Sequence, residues 1–205
     1  VGTKQERGKM TEHKSKRDRH FPAFVLDNFM RRLFSNRHKY DHHVKQDGVV
    51  ADLGSGPGFY TFPLADEVGS NGKVFAVDSD ENAICKVEKK AVRKHYRNIE
   101  PHTSSAARLG FIEDDSVDFV LADGLICCMA PQDHAGAVAE IKRILRHGGK
   151  AYIMTTTGSI SYVDDQEWEA ILSQFKVEER NFAPYKLSRW AVVSKNGAGA
   201  ETDVD

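Results

Sequence analysis

The sequence predicts an α/β fold: an open, mostly parallel sheet with helices packed on it. Three observations carry that expectation. Apolar, strand-like runs alternate with segments of helical periodicity over most of the chain. The first clear apolar run ends in a cluster of glycines, Gly54, Gly56 and Gly58, ahead of a helix-like stretch. The last two strand-like segments have no long helix between them, so they are expected to pair as an antiparallel hairpin.

The elements follow in order. "FPAFVLDNFMRRLF" (21–34) spaces Phe21, Phe24, Val25, Phe29, Leu33 and Phe34 near a helical period, with Pro22 tolerated in the first turn. "GVVADL" (48–53) reads as a buried strand. "FYTFPLADEV" (59–68) begins a helix in which Pro63 sits in the first turn or bends it. "GKVFAVD" (72–78) is a second apolar strand that ends in an acid. "ENAICKVEKKAVRKH" (81–95) is a helix with Ala83, Ile84, Val87, Ala91 and Val92 assigned to its apolar face. "NIEPHT" (98–103) is a weak strand, and Pro101 restricts it to an edge.

"SVDFVLAD" (116–123) is a further good strand, and "PQDHAGAVAEIKRILR" (131–146) is a helix that starts favourably on Pro131. "HGGKAYIMTTT" (147–157) supplies a glycine turn and a strand. "DDQEWEAILSQF" (164–175) opens with an Asp-x-x-Glu start signal and runs as a helix. "KVEERNF" (176–182) and "RWAVVSK" (189–195) complete the hairpin.

Length and composition suit one soluble domain: 205 residues, 40% hydrophobic and 29% charged. No apolar run approaches the roughly 18 residues of a membrane span, and no secretory signal is visible. Three cysteines, Cys85, Cys127 and Cys128, do not build a disulfide framework, and a cytoplasmic location is expected. Without a C-x-x-C spacing no metal site is expected. Net charge is −1, yet residues 1–20 are basic and nearly free of apolar side chains. They are expected to be a poorly ordered tail; a nucleic-acid-binding arm is the alternative, disfavoured by the lack of interleaved aromatics. A second polar tail is expected over 196–205, around a domain at 21–195 made of an N-terminal cap region (21–47) and a core (48–195).

In an open α/β sheet the turn after the first strand is where ligands sit. Glycines there allow a tight turn and close approach to bare backbone, and the following helix offers unpaired N–H groups with partial positive charge. Asp78 ends the second strand 20 residues beyond Gly58, where a carboxylate can accept both hydroxyls of a ribose. The dinucleotide fingerprint G-x-G-x-x-G requires glycine at 59, where this chain has Phe59. Nor is there a G-x-x-x-x-G-K-[ST] phosphate loop.

"Asp-Leu-Gly-Ser-Gly-Pro-Gly" (52–58) resembles motif I of the class I S-adenosylmethionine-dependent methyltransferases. The resemblance runs from about residue 21 to 195. "VFAVDSDENAI" is similar to the family's second strand with its ribose-binding acid, and "SVDFVLADGLICCM" to its fourth strand. "EIKRILRHGGKAYI" resembles its E-x-x-R helix-to-strand passage, with His147 where proline is usual. The flavour is that of the ubiquinone/menaquinone-biosynthesis-like small-molecule methyltransferases.

The resemblance implies a Rossmann-like, three-layer αβα fold whose mostly parallel seven-stranded sheet ends in an antiparallel hairpin. It implies S-adenosyl-L-methionine as methyl donor and a small-molecule acceptor, in a monomer or homodimer. Gly54, Ser55, Gly56 and Gly58 would hold the methionine portion, with Asp78 and Ser79 at the ribose. Asp52 would orient the loop or meet the ammonium through water, and Asp123 would lie beside the sulfonium. Many members carry Asp-Ala after the third strand; this chain offers Ser105-Ala106 for adenine instead. The N-terminal segment with Arg31, Arg32, Arg37, His38 and Tyr40 would cap the cleft, its arginines either solvated or facing an acidic acceptor.

A general base is needed only for an acceptor that arrives protonated. Asp123, His134, Tyr60 and Tyr162 are the candidates, although His134 also reads as a solvent-exposed first-turn residue. Cys127 and Cys128 read first as small apolar fillers, then as a soft-acceptor or nucleophile pair. The fourth-strand segment lacks [DNS]-P-P-[YF], which disfavours amide-nitrogen methylation. An RNA or protein methyltransferase using the basic N-terminus, a nicotinamide oxidoreductase and a non-catalytic cofactor-binding protein remain as alternatives.

Overall fold

In the computed structural model, residues 41–158, 161–182 and 187–196 are described; the expected tail at 1–20 and helix at 21–34 lie outside them. The apolar runs become β1 (Val49–Leu53), β2 (Lys73–Asp78), β3 (Ile99–Thr103), β4 (Val117–Asp123), β5 (Leu145–Thr156), β6 (Lys176–Phe182) and β7 (Ser188–Ser194). The periodic segments become α1 (Thr61–Val68), α2 (Glu81–Arg93), α3 (Pro131–Ile144) and α4 (Asp165–Leu172). Two short 3-10 turns add Asp41–His43 and Ile126–Cys128.

All seven strands share one sheet in the order β3-β2-β1-β4-β5-β7-β6. The pairs from β3 through β5 are parallel, and β7 runs antiparallel to both β5 and β6. The expected terminal hairpin is therefore present, with β7 inserted between β5 and the edge strand β6. The central strands read as near-continuous apolar runs because helices bury both their faces. On one face Ala51, Leu53, Val120, Ala122 and Ile153 pack with Val138 and Ile141 of α3 and Trp168 and Ile171 of α4. On the other, Val50, Val74, Phe119 and Leu121 pack with Leu64 and Val68 of α1, while Ala76 meets Val87 and Ala91 of α2. Because β2 lies on one side of β1 and β4 on the other, the strand order reverses at β1. The carboxyl ends of β1 and β4 thus flank a switch-point crevice.

Local expectations fare mostly as the physics requires. Among the described residues Pro101 lies in an edge strand, β3, paired with β2 alone, and Pro63 sits in the first turn of α1. One assignment is corrected: Val92 is 77% exposed. At about 100° per residue, Ala83, Ile84, Val87 and Ala91 share one stripe and Val92 falls opposite it.

The other edge, β6, is exposed along its whole length. It carries charges of both signs, Lys176, Glu178, Glu179 and Arg180, and a register shift between Val177 and Glu179, both of which blunt an edge against further pairing. Glu178 ties this edge down: Lys150 Nζ lies 2.9 Å from its Oε1 and Ser194 Oγ donates at 2.7 Å. Those donors, Lys150 first, hold the Glu178 carboxyl down at about 2. A depressed folded-state value means the stabilisation is complete above the unfolded glutamate range and is lost as pH falls through it toward about 2. Thermal melts across pH are expected to show the midpoint dropping below about pH 4.3, and Glu178→Gln to flatten that dependence.

Candidate cofactor-binding and active site

β1 ends buried at Leu53, and the chain then turns through three left-handed glycines, Gly54 (φ 75°), Gly56 (φ 53°) and Gly58 (φ 87°). Packing adds a second demand at two of them. A Cβ on Gly54 would stand 3.1 Å from Leu125, and one on Gly58 would stand 2.6 Å from Phe62 and 3.2 Å from Val87. Gly58 thus lets α1 and α2 close on the turn. Gly58→Ala is expected to cost about 2–4 kcal/mol, from left-handed strain and overpacking together, read as a lower urea midpoint.

The loop is laced to the end of β2. Val77 O accepts from Gly54 N at 2.8 Å and from Ser55 N at 3.0 Å. Gly56 N donates to Asp78 Oδ2 and Asp80 N to Asp78 Oδ1, each at 2.8 Å. Each oxygen of an ionised carboxylate carries two lone pairs, so Asp78 holds the loop and retains capacity for two further donors. Ser79, next to it, is exposed.

Asp52 is 2% exposed and accepts Thr61 Oγ1 at 2.6 Å. The bond joins β1 to the first residue of α1, where a carboxylate also meets the positive end of the helix dipole. Tyr60 occupies the N-cap position without a side-chain cap. Its buried ring packs edge-on to Phe59 at 4.8 Å, forming a wall beside the loop.

The segment after β3 is drawn to the same edge: Ser104 N donates to Asp78 O at 2.9 Å. The Ser105 hydroxyl accepts Ala107 N at 3.3 Å, and Ala106 is buried. This segment is pinned from below by Glu140 and Arg143, one turn apart on α3. Glu140 Oε2 accepts Leu109 N at 2.6 Å, and Arg143 donates to Glu140 at 2.7 Å, Leu109 O at 2.9 Å, Ile112 O at 2.9 Å and Asp114 at 2.6 Å. Arg143 holds the Glu140 carboxyl below its usual range. The E-x-x-R spacing of the sequence is thus a structural brace for the segment after β3. The i,i+3 placement of two opposite charges on one helix face was the available signal.

Past β4 the side chains diverge in role. Asp123 ends the strand half-buried. Deep burial, with the Asp123 carboxylate adding to it, pushes the Tyr152 phenol well up, so it stays neutral. His134 is not the exposed residue expected: it is 2% exposed, with Nδ1 2.6 Å from Glu167 Oε1 and Nε2 3.1 Å from Met129 O. Both nitrogens are engaged, and the ring braces α3 to α4 and to the end of the Ile126–Cys128 turn. Tyr162 N donates to Cys127 O at 3.2 Å.

Cys127 is buried and Cys128 half-buried, with their sulfurs 3.9 Å apart. The Cys128 contact, helped by Thr156 N at 3.5 Å, pulls the Cys127 thiol down to about 6 despite burial. A buried arginine with no local signal in the sequence, Arg189, holds this region together. Arg189 donates to Thr155 Oγ1, Asp165 and the carbonyls of Val163 and Asp164, and lies over the Trp168 ring. Hydrogen bonds therefore bring Gly54, Ser55, Gly56, Asp78 and the 104–108 segment together. Asp52 and Gly58 sit beneath that cluster, and Asp123 ends the neighbouring strand. His134 belongs to the helix layer.

The sheet order with its antiparallel β7, and a glycine loop bound to an acid at the end of β2, are the arrangement that the resemblance to the class I S-adenosylmethionine-dependent methyltransferases implies. Residues 50–149 match the family model described as a methyltransferase domain. The chain is 30% identical over 121 residues to an arsenite methyltransferase of Halobacterium salinarum, covering 59% of this chain and 30% of that protein. It is 33% identical over 109 residues to a demethylmenaquinone methyltransferase of Lactococcus lactis, covering 53% and 42% respectively. A SAM-dependent methyltransferase structure from Aquifex aeolicus superposes with a TM-score of 0.69 at 23% identity, over 83% of this chain and 95% of that one. Residues 50–149 thus carry the match to a methyltransferase domain, and the described fold is that of the Aquifex structure. The chain spans less than half the length of the two curated relatives. Among the described residues no helix is long and apolar enough to cross a membrane.

Proposed function

We propose that the protein transfers a methyl group from S-adenosylmethionine to a small-molecule acceptor. The observation that carries this is Asp78: one carboxylate fastens the glycine loop and retains acceptor capacity for two vicinal hydroxyls. The residues present suit the donor. Bare backbone at Gly54 and Gly56 allows close approach, Asp52 keeps α1 against β1, and the Ser105-Ala106 segment beside Asp78 suits an adenine edge. When bound, the donor supplies an electrophilic methyl on a sulfonium, and catalysis is largely a matter of positioning. In this reading Asp123, at the end of β4, faces the reacting end, and with Tyr162 it is the candidate base for a protonated acceptor. His134, both nitrogens engaged, is not carried forward as a base.

Both curated relatives bear the name of a small acceptor, arsenite or demethylmenaquinone, which supports the acceptor class. The test is formation of S-adenosylhomocysteine in the presence of candidate acceptors, followed by mass spectrometry of the methylated product. Turnover with RNA or protein but with no small molecule would reverse the acceptor assignment.

One observation favours a second reading. The Cys127–Cys128 pair, with its acidified thiol, suits a thiophilic acceptor. That reading predicts arsenite-dependent turnover that the Cys127→Ser/Cys128→Ser variant loses while still binding the donor. Full activity in that variant leaves the cysteines as core filler.

A further inference from the structure

A cluster formed by the turn before β1 and the edge strand β6 has no part in the chemistry above. His42 and His43 leave the 3-10 turn before β1 side by side, their ring centroids 3.9 Å apart. Both reach toward Glu179 on the edge strand β6: His42 Nε2 lies 3.9 Å and His43 Nε2 4.0 Å from Glu179 Oε1. The three ligand atoms lie within 4.8 Å of one another. His43 packs against Phe119 of β4, ring centroids 6.5 Å apart. Its Nε2 is fully buried and has no hydrogen-bond partner among the described residues.

A buried ring nitrogen without a partner is costly, and these separations are too long for hydrogen bonds. They are close to those of ligands around one ion. With metal–nitrogen and metal–oxygen bonds near 2.1 Å, tetrahedral ligand atoms stand about 3.4 Å apart. Side-chain movements of about 0.5 to 1.4 Å close the difference, and two of the three residues, His42 and Glu179, are exposed and able to make them. The neighbouring cation, Lys150, is ion-paired to Glu178 at 2.9 Å, which offsets its repulsion of a metal ion.

We propose that His42, His43 and Glu179 form a binding site for one divalent transition-metal ion of the imidazole-preferring kind, with zinc the first choice. Two imidazoles and a carboxylate are a borderline-soft donor set that suits Zn²⁺, Cu²⁺ or Ni²⁺ over Mg²⁺ or Ca²⁺. Three protein ligands leave a fourth position to water. The ion would staple the chain entering β1 to β6, the exposed edge at the far end of the sheet order. Its role would be structural, since the described residues bring no acid or nucleophile from the glycine-loop edge to it. The inference stands apart from the methyl-transfer reading.

The test uses the full chain, stripped with chelator and titrated with Zn²⁺ by calorimetry and with Co²⁺ by visible absorption. His43 supports Phe119, so the variants are the exposed ones, His42→Ala and Glu179→Ala, with circular dichroism as the check on folding. Binding of one ion per chain, a Co²⁺ spectrum without thiolate charge transfer, and at least tenfold weaker affinity in both variants are expected. Zn²⁺ should also raise the thermal midpoint of the parent and not of Glu179→Ala. Absence of stoichiometric binding, unchanged affinity in the variants, or a thiolate band assigning the ion to Cys127 and Cys128 would each overturn the proposal.

Discussion

Asp78→Ala is expected to weaken S-adenosylhomocysteine binding by about a hundredfold or more while leaving the sheet folded. The side chain does two things at once. It accepts Gly56 N and Asp80 N, and it is the acceptor assigned to the ribose. Hydrogen bonds to a charged group are worth about 1.5–3 kcal/mol each, so losing two ligand contacts alone removes about 3 kcal/mol or more, roughly two decades in affinity. The loosened loop adds to that loss. Asp78→Asn keeps one acceptor oxygen and should fall between the parent and the alanine variant. Calorimetry gives the affinities, and an unchanged far-ultraviolet spectrum separates lost binding from lost fold.

The second large effect is expected at Arg143, a residue with no ligand of its own. Arg143→Ala removes donors from Glu140, Leu109 O, Ile112 O and Asp114 together. It leaves Glu140 to hold Leu109 N without its counter-charge. A loss of about 2–4 kcal/mol in unfolding free energy is expected, since several part-buried acceptors lose their partner. Because the 104–112 segment reaches the Asp78 edge through Ser104 N, ligand affinity should fall as well. A cycle with Glu140→Gln should be strongly non-additive, as two members of one network are removed. Additive losses, or normal affinity in the destabilised variant, would separate the network from the site.

Much of the fold was legible because its signals are local. The alternation of apolar runs and helical stripes points to the parallel sheet, Pro101 to an edge, and the lack of a long helical pattern in the sequence between 182 and 189 to the hairpin. The glycine loop and Asp78 were legible because a tight turn and a strand-ending acid leave their marks within 30 residues. What escaped depended on distant partners. His134 looked exposed from its first-turn position; only the fold brings Glu167, 33 residues away, onto its ring. Arg189 carried no local sign that five groups from β5, the loop after it and α4 would surround it. Glu179 lies more than 130 residues from His42 and His43 in sequence, and only the folded chain, with His43 laid against Phe119 of β4, makes them neighbours. Val92 was a phase error that a helical wheel removes.

The measurement that bears most directly on the central claim is a calorimetric titration of the protein with S-adenosylhomocysteine, run beside NAD and repeated with Asp78→Ala. Saturable binding of the adenosyl ligand, no binding of NAD, and a loss of about a hundredfold in the variant are the predicted result. Binding of NAD in place of the adenosyl ligand, or an Asp78→Ala variant as tight as the parent, would contradict it.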